Sequence, residues 1–167
     1  MKKLLICRHA KSSWDDPELR DHQRPLADRG LNDAPMMAVR MQANHIIPEK
    51  IVTSDAIRAK MTAAFYLKTF EKNQVIYQET NELYMGTTKA LLSEIRKTSD
   101  SINTLFIFGH NPGMTDLVNY LGEDLTNLPT AAVFGFKFDV SKWGSINAEN
   151  GIFWFYDFPR NAIFKNP

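Results

Sequence analysis

Four side chains in this sequence are of the types that handle phosphate, although they lie far apart in the chain: Arg8, His9, Arg58 and His110. A phosphoryl group carries about −1.5 to −2 charge at neutral pH and several strong acceptor oxygens. Arginine forks match those oxygens with paired, charge-assisted bonds. A neutral imidazole can attack phosphorus and carry the group covalently. Two arginines beside such a histidine favour its neutral form, and an arriving phosphate pushes the other way. Two histidines with two arginines therefore suit phosphoryl transfer through a phosphohistidine.

That chemistry requires one rigid frame to bring the four together. Short apolar runs read as strands at Leu4–Cys7, Lys50–Thr53, Gln74–Tyr77 and Thr104–Phe108, with two more at Ala132–Phe138 and Gly151–Phe158. Between them lie helices. Leu31 to Ile46 has helical spacing, with Pro35 in its first turn and Pro48 after its end. Ala56–Thr69 follows a cap at Ser54 or Asp55. A third helix carries Leu91, Leu92 and Ile95 behind a cap at Thr87 or Thr88. The last runs from Asn111 as cap to Leu121, stopped by Gly122. Strands alternating with helices predict an α/β fold: a single domain over 1–167 with a mostly parallel central sheet and helices on both faces. In such sheets the ligand lies beyond the carboxyl ends of the strands. Arg8 and His9 follow the first strand, Ser54, Asp55 and Arg58 the second, and His110 the strand at Thr104–Phe108. The stretch Lys11–Asp28 is a polar loop long enough to suggest a functional role.

Composition narrows the field. At 167 residues and 44% hydrophobic the chain can bury a core. A net charge of +1 gives no reason to expect a nucleic acid or membrane surface as partner. One cysteine forms no internal disulfide. The start MKKLLIC has too short an apolar run for a secretion signal, and no run reaches the about 18 residues that cross a bilayer. A cytoplasmic protein is the expectation. Oligomeric state is not legible.

The ordered motifs carry a resemblance. Arg8-His9, then Arg24-Pro25-Leu26 with Arg29-Gly30, then Ser54 with Arg58-Ala59 and Thr62, then Gly109-His110 resemble the histidine phosphatase superfamily, whose fold is phosphoglycerate-mutase-like. RHAKSSW followed by RPLADRG is similar to its compact SixA-like phosphohistidine phosphatase branch. The resemblance implies that His9 is the nucleophile, Arg8 and Arg58 the phosphate clamp, and His110 the second histidine that stabilises the group in flight. It implies no metal and no cofactor. There are departures. Ala10 replaces a usual glycine, Ala27 a usual threonine, and Asp55 a usual proline, which puts a carboxylate near the phosphate pocket.

Acid catalysis separates the substrate classes. An alkoxide leaves poorly, and protonating it is worth about 10²–10⁴ in rate. By chain order Glu82 is the candidate acid. Imidazole, with a pKa near 7, needs less help. The sequence thus reads as a metal-independent phosphatase acting through phospho-His9 on phosphohistidine of a protein partner. The alternatives are a small-molecule phosphomonoesterase with Glu82 as general acid, and a phosphate-binding module without turnover. Arg24 is either a further phosphate contact or the anchor of its loop. Lys11, Ser12 and Ser13 line the pocket mouth or are solvated. His22, His45, Asp15 and Asp16 read as surface residues, Cys7 as a small buried hydrophobe, and Trp14, Trp143, Met36, Met37 and Met41 as packing.

Overall fold

A computed structural model describes residues 1–161 of the chain, so the last six residues of the single-domain reading lie outside the described part. Six strands form one sheet: β1 (Lys2–Arg8), β2 (Lys50–Ser54), β3 (Ile76–Thr80), β4 (Thr104–Gly109), β5 (Val133–Phe138) and β6 (Ile152–Asp157). Their order is β3-β2-β4-β1-β5-β6. The first four neighbours pair in parallel, whereas β5 runs antiparallel to β1 and to β6. The sheet is thus mostly parallel, as expected, and the parallel strands are the ones that carry the phosphate-type residues.

Period-two alternation along the buried strands divides the core. Leu4 and Ile6 of β1, with Leu105 and Ile107 of β4, face one side with Leu91, Ile95, Met114 and Leu117. Those four belong to α3 (Thr88–Arg96) and α4 (Gly113–Tyr120). Leu5 and Cys7 of β1, with Phe106 and Phe108 of β4, face the other side with Ala34, Met37, Met41, Ala63 and Tyr66. These come from α1 (Asp28–Ala43) and α2 (Ile57–Thr69). Helices thus cover both faces. Trp143 is fully buried, and its indole Nε1 donates to the Ile102 carbonyl at 2.8 Å.

Element boundaries differ from the sequence reading in instructive ways. α1 begins three residues before Leu31 and ends before Ile46, so Pro35 lies within the helix rather than in its first turn. The early start rests on Gly30. A Cβ there would sit 2.3 Å from the Lys11 carbonyl oxygen, a close approach that only glycine allows. α2 is capped at Ala56, without a side-chain cap, so neither Ser54 nor Asp55 takes that role. α4 starts at Gly113 behind Pro112, and Asn111 is not its cap. β3 lies two residues later than Gln74–Tyr77, because its register against β2 pairs Lys50 with Ile76. Thr87 does cap α3, accepting from the Ala90 amide at 3.3 Å.

Gly30 ties the start of α1 to the first residues of the long loop. Gly30→Ala is expected to lower the unfolding free energy by about 1–3 kcal/mol, as overpacking against backbone does. Urea denaturation of the variant checks this, and an unchanged midpoint would show that the contact relaxes freely.

Candidate active site

β1 and β4 are adjacent and in register, with Arg8 opposite Gly109. The residues after them therefore emerge side by side. His9 and His110 are both buried, and their ring centroids lie 4.8 Å apart. The His9 amide donates to the Gly109 carbonyl at 3.0 Å, and the His9 carbonyl accepts from Ala131 at 3.1 Å. Arg58, in the first turn of α2, reaches across both rings. Its Nε lies 3.3 Å from His9 Nε2 and its Nη2 3.1 Å from His110 Nδ1. Arg8 is fixed from the opposite side by the Leu128 carbonyl, 2.8 Å from its Nη1. Its buried Nε has no hydrogen-bond partner among the described residues.

The hydrogen bonds assign both tautomers. His9 Nδ1 lies 2.7 Å from the Ala10 carbonyl oxygen, which can only accept. Nδ1 therefore carries the proton and Nε2 keeps its lone pair toward the cleft. His110 Nδ1 accepts from Arg58, so its Nε2–H donates to Ser54 Oγ at 2.9 Å. Burial depresses the His9 pKa from its ordinary value to about 3; the Ala10 contact opposes the shift and the two arginines add to it. Burial, then His9 and Arg58, take His110 to about 2. Both rings are neutral near pH 7, as a nitrogen nucleophile must be.

Ala10 is fully buried, and its φ is not positive, so the usual glycine is not required by backbone conformation here. Its amide donates to Thr62 Oγ1 at 3.0 Å, and that hydroxyl donates to the Arg58 carbonyl at 2.7 Å. Asp55 does not face the phosphate site. Its carboxylate takes His22 Nε2 at 2.8 Å and Asn81 Nδ2 at 3.2 Å. His22 is thus half-exposed but paired, while His45 is exposed.

Arg8, His9, Arg58 and His110 line one open cleft of about 380 Å³, together with Lys11, Ser12, Trp14, Asp21, Met85, Asn111 and Thr130. Glu82 is not among them. It is exposed and lines a neighbouring hollow with Asn81, Thr87 and Ala90. A one-turn helix at Asn81–Leu83 aims it away from the cleft and leaves Tyr84 facing it. Arg24 does not line the cleft either. Its guanidinium stacks on Trp14 at 3.5 Å and comes within 3.9 Å of Asp21, the loop-anchoring arrangement. Trp14 itself is 65% exposed, so it is a lip residue rather than packing.

Asp21 was not legible in the sequence, although it supplies the carboxylate at the centre. Its Oδ2 accepts from Arg58 Nη2 at 2.9 Å and from the Tyr84 hydroxyl at 2.7 Å. Its backbone carbonyl accepts from Arg58 Nη1 at 2.5 Å. The Tyr84 bond, with help from Arg58, holds its pKa below the usual carboxylate value. The missed signal was distance alone: nothing in the polar loop marks Asp21 as a partner of Arg58. Asn111 is the other missed positioner, bridging Asn127 Oδ1 at 2.9 Å and the Leu128 carbonyl at 3.0 Å.

Residues 4–124 match the model of the histidine phosphatase superfamily, branch 1. A chloroplastic protein of Arabidopsis thaliana, uncharacterized, is 31% identical over 141 residues, covering 77% of this chain and 63% of that protein. The chain thus spans less than two thirds of that relative's length. Among solved structures, a provisionally named phosphohistidine phosphatase SixA from Agrobacterium tumefaciens superposes with a TM-score of 0.80 at 24% identity, over 95% of this chain and 98% of that one. The protein histidine phosphatase SixA complexed with tungstate gives 0.75 at 21% identity, over 94% and 97%. These last two likenesses establish the fold, which is the arrangement expected of a phosphoglycerate-mutase-like domain.

The neutral histidine pair has a consequence for stability. A ring held below its unfolded value makes the unfolded chain the better proton acceptor. The stability contributed by neutral His9 and His110 is complete above about pH 6.5, the unfolded value. It is lost as pH falls toward the folded value of about 3. Replacing both by Gln is expected to flatten the loss of stability between pH 7 and pH 4.5, followed by urea denaturation at each pH. An unaltered slope would mean that the rings are not neutral in the fold.

Proposed function

The chain belongs to the histidine phosphatase superfamily, and from that premise we propose that it is a metal-independent phosphatase whose favoured substrate is phosphohistidine on a protein partner. One observation carries the substrate choice. Asp21 is the sole carboxylate among the residues that line the cleft with Arg8, His9 and Arg58, and it is held ionised by Tyr84 and Arg58, while Asp116 lines the adjoining hollow that shares His110. A site without a protonated acid suits a leaving group that needs none.

In the proposed reaction His9 Nε2 attacks phosphorus as the substrate's P–N bond breaks. The substrate imidazole carries a proton on its distal nitrogen and leaves as the neutral ring. The electron pair of the broken bond stays on its nitrogen. Exchange of one imidazole for another costs little free energy, so the barrier is one of charge and alignment. Arg8 and Arg58 offset the charge on the transferring oxygens. The incoming dianion favours uptake of a solvent proton by His110, whose N–H then donates a hydrogen bond to the group and which returns that proton to solvent when phosphate leaves. Water next attacks phospho-His9, the new P–N bond breaks, and phosphate leaves with His9 still protonated on Nδ1. These steps use side chains at or just past the ends of parallel strands, with Arg58 added from the first turn of α2.

The cleft mouth supports a macromolecular substrate. Trp14 is 65% and Met85 71% exposed, and both line the cleft. Large apolar side chains left in water beside a cationic centre fit a partner surface better than a small, fully hydrated metabolite. The phosphomonoesterase reading loses its nominated acid with Glu82 outside the cleft and would need Asp116, in the adjoining hollow, instead. The binding-module reading requires a disabled nucleophile, whereas His9 keeps a lone pair toward the clamp. A cytoplasmic site of action remains part of the proposal; among the described residues no helix is long and apolar enough to cross a membrane.

A substrate panel tests this reading. Wild type is expected to hydrolyse a histidine-phosphorylated protein far faster than an alkyl phosphate, and His9→Ala to lose both activities. Trp14→Ala with Met85→Ala should raise KM for the phosphoprotein about tenfold, the scale of an interface contact. Hydrolysis of p-nitrophenyl phosphate should change by less than about twofold. Faster alkyl phosphate turnover, or equal losses on both substrates, would reject the protein substrate.

A further inference from the structure

Arg58 is already occupied. Its Nη1 donates to the Asp21 carbonyl at 2.5 Å and its Nη2 to the Asp21 carboxylate at 2.9 Å. Its Nε points at His9 Nε2, 3.3 Å away, and so covers the lone pair that the reaction needs. The same Nη2 reaches His110 Nδ1 at 3.1 Å. No nitrogen of this guanidinium is unengaged in the resting molecule. A phosphoryl group seated between His9 and Arg58 must take over at least the Nη2 contact to the Asp21 carboxylate, and its negative charge would lie beside that carboxylate.

We propose that Asp21 is an internal competitor for the phosphate site, a carboxylate that holds Arg58 over the nucleophile until a phosphoryl group displaces it. The proposal rests on the phosphate reading of the cleft. Three features suit Asp21 to the role. Its carboxylate Oδ2 presents a negative charge to Arg58 Nη2, as a phosphoryl oxygen would, while the Asp21 backbone carbonyl keeps Nη1 in place. Its side chain is 51% exposed, so it can turn outward into water without opening the core. Tyr84 donates to Oδ2 at 2.7 Å and so fixes the resting pose. The neighbouring residue His22 is tied to Asp55 at 2.8 Å and packs edge-on against Tyr84, with ring centroids 4.7 Å apart. The one-turn helix Asp21–Gln23 therefore stays at the mouth while the Asp21 carboxylate exchanges.

The consequence is selectivity. An anion that brings less charge, or fewer acceptors, than a phosphoryl group does not repay the lost Asp21 contacts. Free phosphate, the product, meets the same opposition from Asp21 and so leaves more readily than it would from an Arg58 without that competitor. Uncapping of the His9 lone pair becomes part of substrate binding rather than a standing state. Asp21 is accordingly a specificity-determining residue that works through Arg58, not a proton donor.

Titration calorimetry with inorganic phosphate and with tungstate tests the proposal without reference to the physiological substrate. Asp21→Asn keeps the shape and an acceptor but removes the charge. It is expected to bind both oxyanions on the order of tenfold or more tightly, since like-charge juxtaposition is removed. The inhibition constant of phosphate as product should fall in parallel. Tyr84→Phe loosens the resting pose and is expected to tighten binding by a smaller factor. Unchanged or weaker oxyanion binding in Asp21→Asn, with the melting temperature preserved, would overturn the proposal and leave Asp21 as a support that merely aims Arg58. Failure of wild type and variants alike to bind either oxyanion would instead remove the phosphate reading of the cleft, and this proposal with it.

Discussion

The site depends on one short hydrogen bond. The His9 Nδ1–H donates to the carbonyl of the next residue, Ala10, at 2.7 Å. That bond puts the proton on one ring nitrogen and leaves the lone pair on the other, facing Arg58. It also needs the backbone at Ala10 to be held still. The Thr62 hydroxyl does this by accepting from the Ala10 amide while donating to the Arg58 carbonyl. His9 and Arg58 are thus braced by the same side chain. Methyl in place of hydroxyl at that position would leave a buried amide unpaired, a cost of about 1–3 kcal/mol.

The fold tolerates so polar a centre because everything around it is covalently or sterically committed. β1 and β4 are buried on both faces, so their registers cannot slip without exposing whole rows of side chains. The residues just past their ends are fixed in turn: His9 between Gly109 and Ala131, and Arg8 against Leu128. The antiparallel strand β5 matters here as more than a sheet edge. The segment leading into it supplies the carbonyls of Leu128 and Ala132 that hold Arg8. Burying neutral imidazoles beside a fully engaged Arg58 costs far less than burying unpaired charge, and of the Arg8 guanidinium only Nε is buried without a partner among the described residues. Asp21 completes that balance from the loop side, its carboxylate pairing with Arg58 at 2.9 Å.

Much of this was legible in sequence, and the reasons for the remainder are physical. Arg8, His9, Arg58 and His110 could be placed because parallel strands deliver their following residues to a common edge, and strands are readable from apolar runs. Asp21 could not, because its partner is reached through a loop whose path follows no periodicity. Glu82 and Tyr84 stand two residues apart, and a single turn of 3₁₀ helix sends one away and the other to the site. That turn is set by Thr80 accepting from the Glu82 amide at 3.2 Å, a local bond no pattern announces. The departure at Asp55 looked threatening by position alone, yet His22 and Asn81 draw its carboxylate elsewhere. Ala10 looked like a lost glycine, but the backbone there needs no left-handed conformation.

The tautomer assignment makes the account directly measurable. Rapid mixing with a radiolabelled histidine-phosphorylated protein, alkaline quench and peptide mapping would locate the phosphoenzyme and the ring nitrogen that carries phosphorus. The account predicts label on His9 at Nε2, because Nδ1 is committed to the Ala10 carbonyl. Label on Nδ1 of His9, label on His110, or turnover without any phosphoenzyme would contradict it.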